Sequence, residues 1–333
     1  MRTGRPARAR AAVVTGASSG IGLACALRLD ESGFRVFAGV RRVEDEAALR
    51  RLGSDRLTPV FLDVTDPASI MSAVRIVTDS TGEIGLSALV NNAGIVVAGS
   101  LEFLPVKEIR EQFEVNVLGQ IAVTQAFLPL LRKGQGRIVN MGSVGGRIAM
   151  PFIGPYNASK FAMEAFTDSL RLELRPWNIP VSIIEPTFID TPIWEKSLAR
   201  ADKILEILPP EAGDLYGPIF ARVREIYSRA GKPGTPANEV AKVVVHVLTV
   251  RRPKARYVIG KGGMMQTVVF AHLPHRLRDF LIATFLLRGP KGTPPVQVAH
   301  VRHRGWSWYY GVFAVHALKP RSMGKCGQIR FNA

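Results

Sequence analysis

AAVVTGASSGIGLACALRLDESG, residues 11–33, decides the fold that the sequence predicts. Residues 11–14 form a short apolar run that predicts a buried strand, and apolar residues recur at helical spacing from Leu23 to Leu29. Three glycines stand between strand and helix: Gly16, Gly20 and Gly22. Glycines let the main chain approach a pyrophosphate closely, and the amino end of a helix offers it free N–H groups. Because the GxxxGxG spacing differs from the GxGxxG fingerprint, the position between strand and helix is what predicts a phosphate-binding turn.

Six further apolar runs predict strands that alternate with helices. They are FRVFAGV (34–40), LTPVFLDV (57–64), LSALVNNAGI (86–95), RIVNMGS (137–143), VSIIEP (181–186) and ARYVIG (255–260). Alternating strands and helices of this length imply right-handed crossovers and a parallel sheet. The sequence therefore predicts an α/β fold with a doubly wound, mostly parallel sheet of seven strands in a single domain.

Charge and composition set the domain limits. Of the formal net charge of +17, four charges lie in residues 1–10 and eight in residues 288–333, and neither stretch contains an acidic residue, so the body carries only +5. We therefore predict a catalytic domain at residues 11–287, between a basic N-terminal extension (1–10) and a basic, poorly ordered tail (288–333). Because the charge is concentrated at the ends, no nucleic-acid partner is expected.

Cysteine and histidine usage bounds the location and the chemistry. The two cysteines, Cys25 and Cys326, exclude a disulfide framework and suit a reducing compartment, and Cys25 lies in a helical pattern typical of a buried structural thiol. No metal-ligand spacing is present, so no metal is expected. No uncharged apolar run reaches the ~20 residues of a membrane span. The sequence therefore predicts a cytoplasmic protein.

Two apolar segments lie outside this strand and helix rhythm. Residues 187–236 form a long excursion after the sixth strand with two helix-like runs, which is typical of a substrate lid. Residues 264–287 mix apolar residues with histidines and arginines, which predicts a helix packed on the domain. A dimer contact and peripheral contact with a membrane are the alternatives.

Polar residues follow several of the predicted strands, at the edge where ligands of parallel sheets bind. Gly16, Arg41, Asp63 and Asn91 all fall there. A NAD-preferring site usually has an acidic residue after the second strand, but this chain has Arg41 and Arg42. Two guanidiniums suit the 2′-phosphate of NADP(H), which we expect to be preferred over NAD(H). The alternative is that both are simply solvated arginines.

SVGGRIAMPFIGPYNASK, residues 143–160, carries a hydroxyl, a phenol and an amine. On a helix, Lys160 lies one turn beyond Tyr156 on the same face, which predicts an acid/base tyrosine with a depressed pKa. A phenol moved from ~10 to near 7 needs about 4 kcal/mol, and one cation about 4 Å away at a dielectric near 20 supplies roughly that. The alternative is a surface helix with an incidental Tyr and Lys. Asn116, within an apolar helix, is either a satisfied core amide or the holder of a water for proton relay.

These motifs, in this order, resemble the short-chain dehydrogenase/reductase family over about residues 11–287. The matching stretches are TGASSGIG at 15–22, Asp63, NNAG at 91–94, Asn116, Ser143 and YNASK at 156–160. Within the family, the RYxxG strand and the LP that follows are similar to the branch of 17β-hydroxysteroid and retinol dehydrogenases. The family often has Pro-Gly after the sixth strand, where this chain has Pro186 and Thr187.

The resemblance implies a Rossmann-like fold, a homodimer or homotetramer, and a set of site residues. The catalytic set is Asn116, Ser143, Tyr156 and Lys160. With Arg41 and Arg42, the cofactor-binding set is Gly16, Ser18, Ser19, Gly20, Ile21, Gly22, Asp63, Asn91, Ala93, Gly94, Tyr156, Lys160, Pro186 and Thr191.

The function predicted from these residues is hydride transfer between NADP(H) and a carbonyl or secondary alcohol of a lipophilic small molecule, such as a steroid or retinoid. A rival enzyme is a ketoreductase acting on carrier-linked 3-oxoacyl or polyketide substrates. A rival of another class is a nucleotide-sensing scaffold that has lost catalysis.

Overall fold

The computed structural model describes residues 10–230, 234–260 and 269–288. The described residues all belong to one compact unit spanning residues 1–297, and a second unit, residues 298–333, lies outside them. The predicted N-terminal extension, the basic tail beyond residue 288 and Cys326 therefore fall outside the described residues.

The described strands and helices alternate along the chain. The strands are β1 (Ala11–Val14), β2 (Arg35–Val40), β3 (Leu57–Phe61), β4 (Ala88–Asn91), β5 (Arg137–Met141), β6 (Val181–Pro186), β7 (Ile189–Asp190), β8 (Thr235–Pro236) and β9 (Arg256–Ile259). The helices are α1 (Gly20–Glu31), α2 (Val43–Leu52), α3 (Pro67–Thr81), α4 (Val106–Phe113), α5 (Gly119–Gly134), α6 (Gly154–Glu173), α7 (Ile193–Leu205), α8 (Pro210–Ala230), α9 (Ala237–Thr249) and α10 (His275–Arg288).

The main sheet has seven parallel strands in the order β3-β2-β1-β4-β5-β6-β9. The predicted doubly wound, Rossmann-like sheet is thereby confirmed. The chain moves outward from β1 in one direction through β2 and β3, and in the other through β4, β5, β6 and β9. The switch between β1 and β4 opens a crevice at the carboxyl ends of these strands, which is where such sheets bind ligands.

Both faces of the sheet are buried because successive strand residues point to opposite sides. Ala12 and Val14 pack on one face against α1 and α9, in a core cluster that includes Cys25. Val13 packs on the other face, against α3 and α5. Burial raises the pKa of the Cys25 thiol to about 12, as expected of a structural cysteine.

Local signals in the sequence account for where several helices begin and bend. Asp66 caps α3 by accepting from the Ala68 N–H at 2.9 Å, with Pro67 in the first turn. One π-helical turn, Glu114–Leu118, joins α4 to α5, so the predicted long helix is continuous but widened where Asn116 lies. Among the described residues, Val106–Gly134 is the one stretch long and apolar enough to cross a membrane, and 56% of its most apolar window is buried inside the fold.

The predicted lid contains α7 and α8. A short ladder that was not predicted joins its two ends. Ile189 pairs with Thr235 in a two-residue parallel ladder between β7 and β8, so the excursion begins and ends at one point. The segment after β9 contains α10, which packs on α8 through residues that include Ile282. This agrees with the predicted packing on the domain, although Leu277, Phe280 and Leu281 of α10 stay exposed.

Candidate active site

A cavity of about 570 Å³ occupies the crevice at the carboxyl ends of the central strands. Most of the residues predicted from the sequence line it: Gly16, Ser18, Ser19, Gly20, Ile21, Arg41, Arg42, Asp63, Ala93, Gly94, Asn116, Ser143, Tyr156, Lys160, Pro186 and Thr191. Two of the predicted residues, Gly22 and Asn91, do not line it. The volume lies within the range of about 300–1,000 Å³ usual for small-molecule and cofactor sites.

The glycine turn is shaped by close packing that only glycine allows. Gly16 has φ +64°, and a Cβ there would lie 2.8 Å from the Ala93 Cα. Gly20, with φ +57°, is the first residue of α1, and Ser19, Gly20 and Ile21 at the amino end of this helix line the cavity. An open turn without side chains at the positive end of a helix fits a pyrophosphate.

Gly22 contributes to this turn from behind. A Cβ at Gly22 would lie 2.1 Å from the Gly16 carbonyl oxygen and 2.4 Å from Asn92 Nδ2. The small size of Gly22 lets α1 pack against the turn, and a contact of Gly22 with the cofactor stays a prediction. The backbone conformation at Gly22 is open to any residue, but the space around it has no room for a side chain.

Asn91 is also displaced from its expected place at the cofactor. Its side chain is fully buried, and Nδ2 donates to Thr124 Oγ1 at 2.8 Å and to Asn140 Oδ1 at 2.9 Å. Asn140 in turn donates to Thr167 Oγ1 at 2.9 Å. Asn91 therefore belongs to a buried ladder that joins β4 and β5 to α5 and α6.

Asn92, which sequence reasoning missed, lines the cavity instead. Its Nδ2 donates to the carbonyl oxygens of Thr15 at 3.0 Å and Gly16 at 3.1 Å, and Thr15 Oγ1 accepts from the N–H groups of Asn92 and Ala93. Strand alternation carries the missing signal: if Asn91 continues the buried pattern of β4, the next residue faces the other way.

At the end of β2, the two arginines differ in their surroundings. The exposed Arg42 guanidinium donates from Nε and Nη2 to the Asp45 carboxylate, both at 3.0 Å, and this raises the pKa of Arg42. Arg41 is exposed, and no side-chain hydrogen bond or close ion pair holds it within the described part of the chain, although its charge helps to lower the pKa of Glu111. Asp63, across the cavity, accepts from the N–H and hydroxyl of Thr65 through Oδ1 alone, at 2.9 and 2.8 Å.

Ser143 and Tyr156 come together at the far end of the cavity. Ser143 follows β5, and its Oγ accepts from the Gly145 N–H at 3.0 Å. The surrounding protein raises the pKa of Tyr156 by burial, and the hydrogen bond from Ser143 opposes this in part. The depressed pKa expected from the Tyr-Lys spacing is therefore wrong for this structure. Tyr156 keeps its proton at neutral pH, which is the form a general acid needs.

Lys160 lies beside Tyr156 but is directed to the sheet. Its Nζ is 5.8 Å from the centre of the Tyr156 ring and donates to the Met141 carbonyl oxygen at 2.7 Å. Burial lowers the pKa of Lys160 to about 8, although Glu164 opposes the shift. The ammonium is thus held by a main-chain oxygen of β5.

The Asn116 side chain is fully satisfied by protein groups. Its Oδ1 accepts from the Ile95 N–H at 2.8 Å, and its Nδ2 donates to the Ile95 carbonyl at 3.0 Å and to Ser159 Oγ at 3.1 Å. The amide therefore ties the π-helical turn to the strand end after β4 and to α6.

Thr187, which stands where the family often has glycine, packs against a glycine elsewhere in the chain. The Thr187 N–H donates to the Ile259 carbonyl at 2.8 Å, and Thr187 also lines the cavity. Gly260 has φ +122°, and a Cβ there would lie 1.8 Å from Thr187 Oγ1. The threonine side chain thus occupies space that a glycine at the end of β9 leaves open.

The lid, predicted from the apolar excursion at residues 187–236, forms the apolar end of the cavity. Ile193 and Trp194 line it, and Trp194 stacks on Tyr227 at 5.2 Å and contacts Phe188 at 5.7 Å between ring centres. Lys196 of α7 donates to Ser19 Oγ at 3.4 Å, which joins the lid to the glycine turn. The local sequence does not indicate these contacts, because they join residues that are far apart in the chain, such as Ser19 with Lys196 and Trp194 with Tyr227.

Comparison with known proteins agrees with this geometry. The family model for short chain dehydrogenases matches residues 10–202. Retinol dehydrogenase 5 of Mus musculus is 38% identical over 285 residues, covering 83% of this chain and 88% of that protein. The 17-beta-hydroxysteroid dehydrogenase type 6 of Bos taurus is 38% identical over 274 residues, covering 81% of this chain and 86% of that protein.

Among solved structures, a short chain dehydrogenase from Burkholderia cenocepacia in complex with NADP is similar, with a TM-score of 0.64 and 25% identity over 82% of this chain and 98% of that chain. The chain therefore belongs to the short-chain dehydrogenase/reductase family, in its branch of retinol and 17β-hydroxysteroid dehydrogenases, and is an oxidoreductase that acts on CH–OH groups with a nicotinamide dinucleotide.

Proposed function

We propose that this protein interconverts a carbonyl and a secondary alcohol on a lipophilic small molecule, with NADP(H) as the preferred cofactor and Tyr156 as the acid/base. The observation that carries the proposal is the shared cavity: the glycine turn lines one end of it, and Ser143, Tyr156 and Lys160 line the other. A binding module needs the first end but not the second.

Each catalytic side chain has a distinct task. When bound, the cofactor supplies or accepts the hydride at the substrate carbon. Ser143 holds the substrate oxygen: its Oγ is fixed by the Gly145 N–H at 3.0 Å, and its hydroxyl proton turns from Tyr156 to the substrate. Tyr156 gives its proton to that oxygen in reduction and takes it back in oxidation. Lys160 presents an ammonium beside the phenol, and this charge stabilises the tyrosinate left after proton transfer.

Asn116 has a supporting part in this proposal. Because its side-chain amide is committed to Ile95 and Ser159, a water for proton relay has to be held by another group of the widened helical turn. The amide's contribution is then to keep that turn in place against α6.

A lipophilic substrate is supported by the lid end of the cavity. Trp194 and Ile193 offer an apolar wall, and the stack of Trp194 on Tyr227 makes the wall rigid. The relatives named for retinol and a 17-beta-hydroxysteroid support the same substrate class. The preference for NADP(H) is supported by Arg41, which is exposed at the cavity and has no close ion pair among the described residues.

Assembly and surroundings are part of the proposal. A homodimer or homotetramer is supported by α6, which leaves Phe161 at 44% and Leu172 at 65% exposure. The predicted cytoplasmic location stays a prediction. So does peripheral membrane contact, for which α10 offers exposed Leu277, Phe280 and Leu281.

The test is NADPH consumption across a panel of steroid and retinoid carbonyls and acyl thioesters, with Tyr156→Phe as the matched variant. We expect wild-type turnover on the steroid or retinoid carbonyls and a loss of at least about a hundredfold in Tyr156→Phe, because the acid is removed. NADPH affinity should stay within a few-fold, measured by fluorescence titration.

Three other results would contradict the proposal. Unchanged turnover in Tyr156→Phe would remove the tyrosine from its role. Turnover confined to acyl thioesters would favour the carrier-linked ketoreductase. Tight NADPH binding with no turnover across the panel would favour the nucleotide-sensing scaffold.

A further inference from the structure

A cluster of charged side chains lies beneath the catalytic helix, outside the cavity. Glu164 is one helical turn beyond Lys160 on α6, and Glu185 is the penultimate residue of β6. Arg147 follows the turn that starts at Ser143, and Arg256 begins β9. Glu164 is 8% exposed and Glu185 is 1% exposed, so both carboxyl groups are buried.

The two arginines hold both carboxyl groups through the same pair of oxygen atoms. Arg147 Nε lies 3.1 Å from Glu185 Oε1 and 3.8 Å from Glu164 Oε2. Arg256 Nε lies 3.2 Å from Glu164 Oε2 and 3.6 Å from Glu185 Oε1. Since each guanidinium is within 4 Å of both acids, the two carboxyl groups are neighbours.

The other oxygen of each carboxyl group is left without a donor. Glu164 Oε1 and Glu185 Oε2 are both buried and have no hydrogen-bond partner from an N–H or a hydroxyl. The carboxyl group of Glu185 lies close enough to raise the pKa of Glu164, both through a hydrogen bond and through its charge. Two ionised carboxylates cannot hydrogen-bond to one another, but a carboxylic acid and a carboxylate can.

We propose that Glu164 and Glu185 share one proton between their unpartnered oxygens, and that this carboxyl pair is a positioning device that controls the charge of Lys160. The first half of the proposal rests on the burial of both carboxyl groups, on the two arginines that they share and on the unpartnered oxygen of each. The second half rests on the proposed function, in which Lys160 supports Tyr156.

Charged side chains from every element packed around the Glu164–Glu185 pair affect its protonation. Helix α6 contributes Lys160, Glu164, Asp168 and Arg171, the turn after β5 contributes Arg147, β6 contributes Glu185, and β9 contributes Arg256. Asp168 is engaged by Arg256 Nη2 at 2.5 Å and by Arg171 Nη1 at 2.8 Å, so it does not compete for the shared proton.

The direction of each titration follows from burial and neighbours. Burial and the adjacent Glu185 raise the pKa of Glu164 to about 8, against the opposing effect of Arg147 and Arg256. An ionised Glu164 raises the pKa of Lys160, against the burial that lowers it. Loss of the shared proton therefore raises the pKa of Lys160 and stabilises its charged form.

Substitution of the two acids should shift the pH profile in opposite directions. Glu164→Gln removes the carboxylate that faces Lys160, so Lys160 loses its proton more readily. We expect the basic limb of the kcat/KM profile for reduction to move down by about half a pH unit or more. Glu185→Gln removes the like charge, so Glu164 ionises more readily and the limb should move up by a similar amount.

Difference infrared spectroscopy tests the shared proton without reference to activity. Wild-type protein should show a protonated carboxyl band at neutral pH that disappears above about pH 8. The band should be missing in both glutamine variants. Asp168→Asn is the matched control, because it removes an Arg256 partner outside the pair and should keep the band.

The two measurements separate the possible failures. No protonated carboxyl band in the wild type at neutral pH would overturn the shared proton, and this result needs no variant to fold. If the basic limbs move in the same direction in both glutamine variants, the control of Lys160 is overturned. A general loss of packing would shift both pH profiles in the same direction, whereas the charge effect shifts them in opposite directions. If no substrate is turned over, the proposed function fails, while the infrared result still decides whether the proton is shared.

Discussion

Asp45 lies three residues beyond Arg42, and both nitrogen contacts of that pair measure 3.0 Å. A carboxylate beside the proposed 2′-phosphate position competes for the guanidinium and repels the phosphate. Arg41, by contrast, has no close ion pair among the described residues, and its charge acts only at longer range on Glu111. At the scale of single residues, the two adjacent arginines are therefore unequal, and most of the discrimination between cofactors should come from Arg41.

Arg41→Ala should weaken NADPH binding by at least about tenfold and leave NADH binding within about twofold, because a charge-assisted hydrogen bond is worth about 1.5–3 kcal/mol. Titration of both cofactors measures it. Arg51→Ala, an exposed arginine of α2 outside the cavity, is the control. Equal losses for both cofactors would contradict a 2′-phosphate contact.

Asp45→Asn should act in the opposite sense. It releases Arg42 and removes a negative charge from the cavity wall, so the NADPH-to-NADH affinity ratio should rise a few-fold. The same titration measures this ratio. A ratio that stays constant or falls would mean that Asp45 holds Arg42 in its binding position.

At the scale of helices and strands, Arg200 links the lid to the body of the domain. Arg200 of α7 donates to Glu108 at 2.7 Å and to Glu111 at 2.9 Å, both on α4. Arg200 is 24% exposed, so solvent screens these bonds less than most surface pairs. The hydrogen bond and charge of Arg200 also lower the pKa of Glu111.

Arg200→Ala should loosen the lid by about 1 kcal/mol, after allowance for the exposure of Glu111. We expect several-fold faster proteolysis in the connection at residues 206–209 and a larger rise in substrate KM than change in kcat. Arg224→Ala is the control, since its pair with Asp202 joins α8 to α7 within the lid. Equal proteolysis of wild type and Arg200→Ala would show that apolar packing alone holds the lid.

At the scale of the whole molecule, one face of α6 is left uncovered by the residues that the structure describes. Ala158, Phe161, Ala165, Ser169 and Leu172 recur at helical spacing and are all exposed. Small residues beside two large apolar ones allow a second helix to approach closely, and exposed apolar patches on folded domains commonly mark interfaces. The opposite face of the same helix carries Tyr156 and Lys160, so an assembly through α6 would rest directly behind the catalytic residues.

Phe161→Glu should therefore shift the protein toward monomer in sedimentation velocity, because a buried carboxylate at a symmetric interface is repeated in both copies. Phe61→Glu is the matched control: Phe61 ends the edge strand β3 and is 55% exposed. An unchanged sedimentation coefficient for Phe161→Glu, in a wild type that is oligomeric, would move the interface elsewhere.

The order of elements and the edge that carries the site could be predicted because both depend on local patterns. Apolar runs such as residues 11–14 and 181–186 specify buried strands, and parallel strands bring their carboxyl ends to one edge whatever the sequence between them. This is why Ser143 and Gly16, far apart in the chain, were expected together. Short ladders such as β7 with β8 carry too little local signal to be predicted in this way.

The sequence by itself determined the sheet, the glycine turn and the set of chemical groups near the cofactor. Only the tertiary structure decided that Asn92 rather than Asn91 reaches the cavity, that burial raises rather than lowers the pKa of Tyr156, and that Glu164 meets Glu185. The reason is physical: a pKa depends on desolvation and on charges delivered by β5, β6, α6 and β9 together. The spacing of residues within one segment therefore cannot predict the pKa.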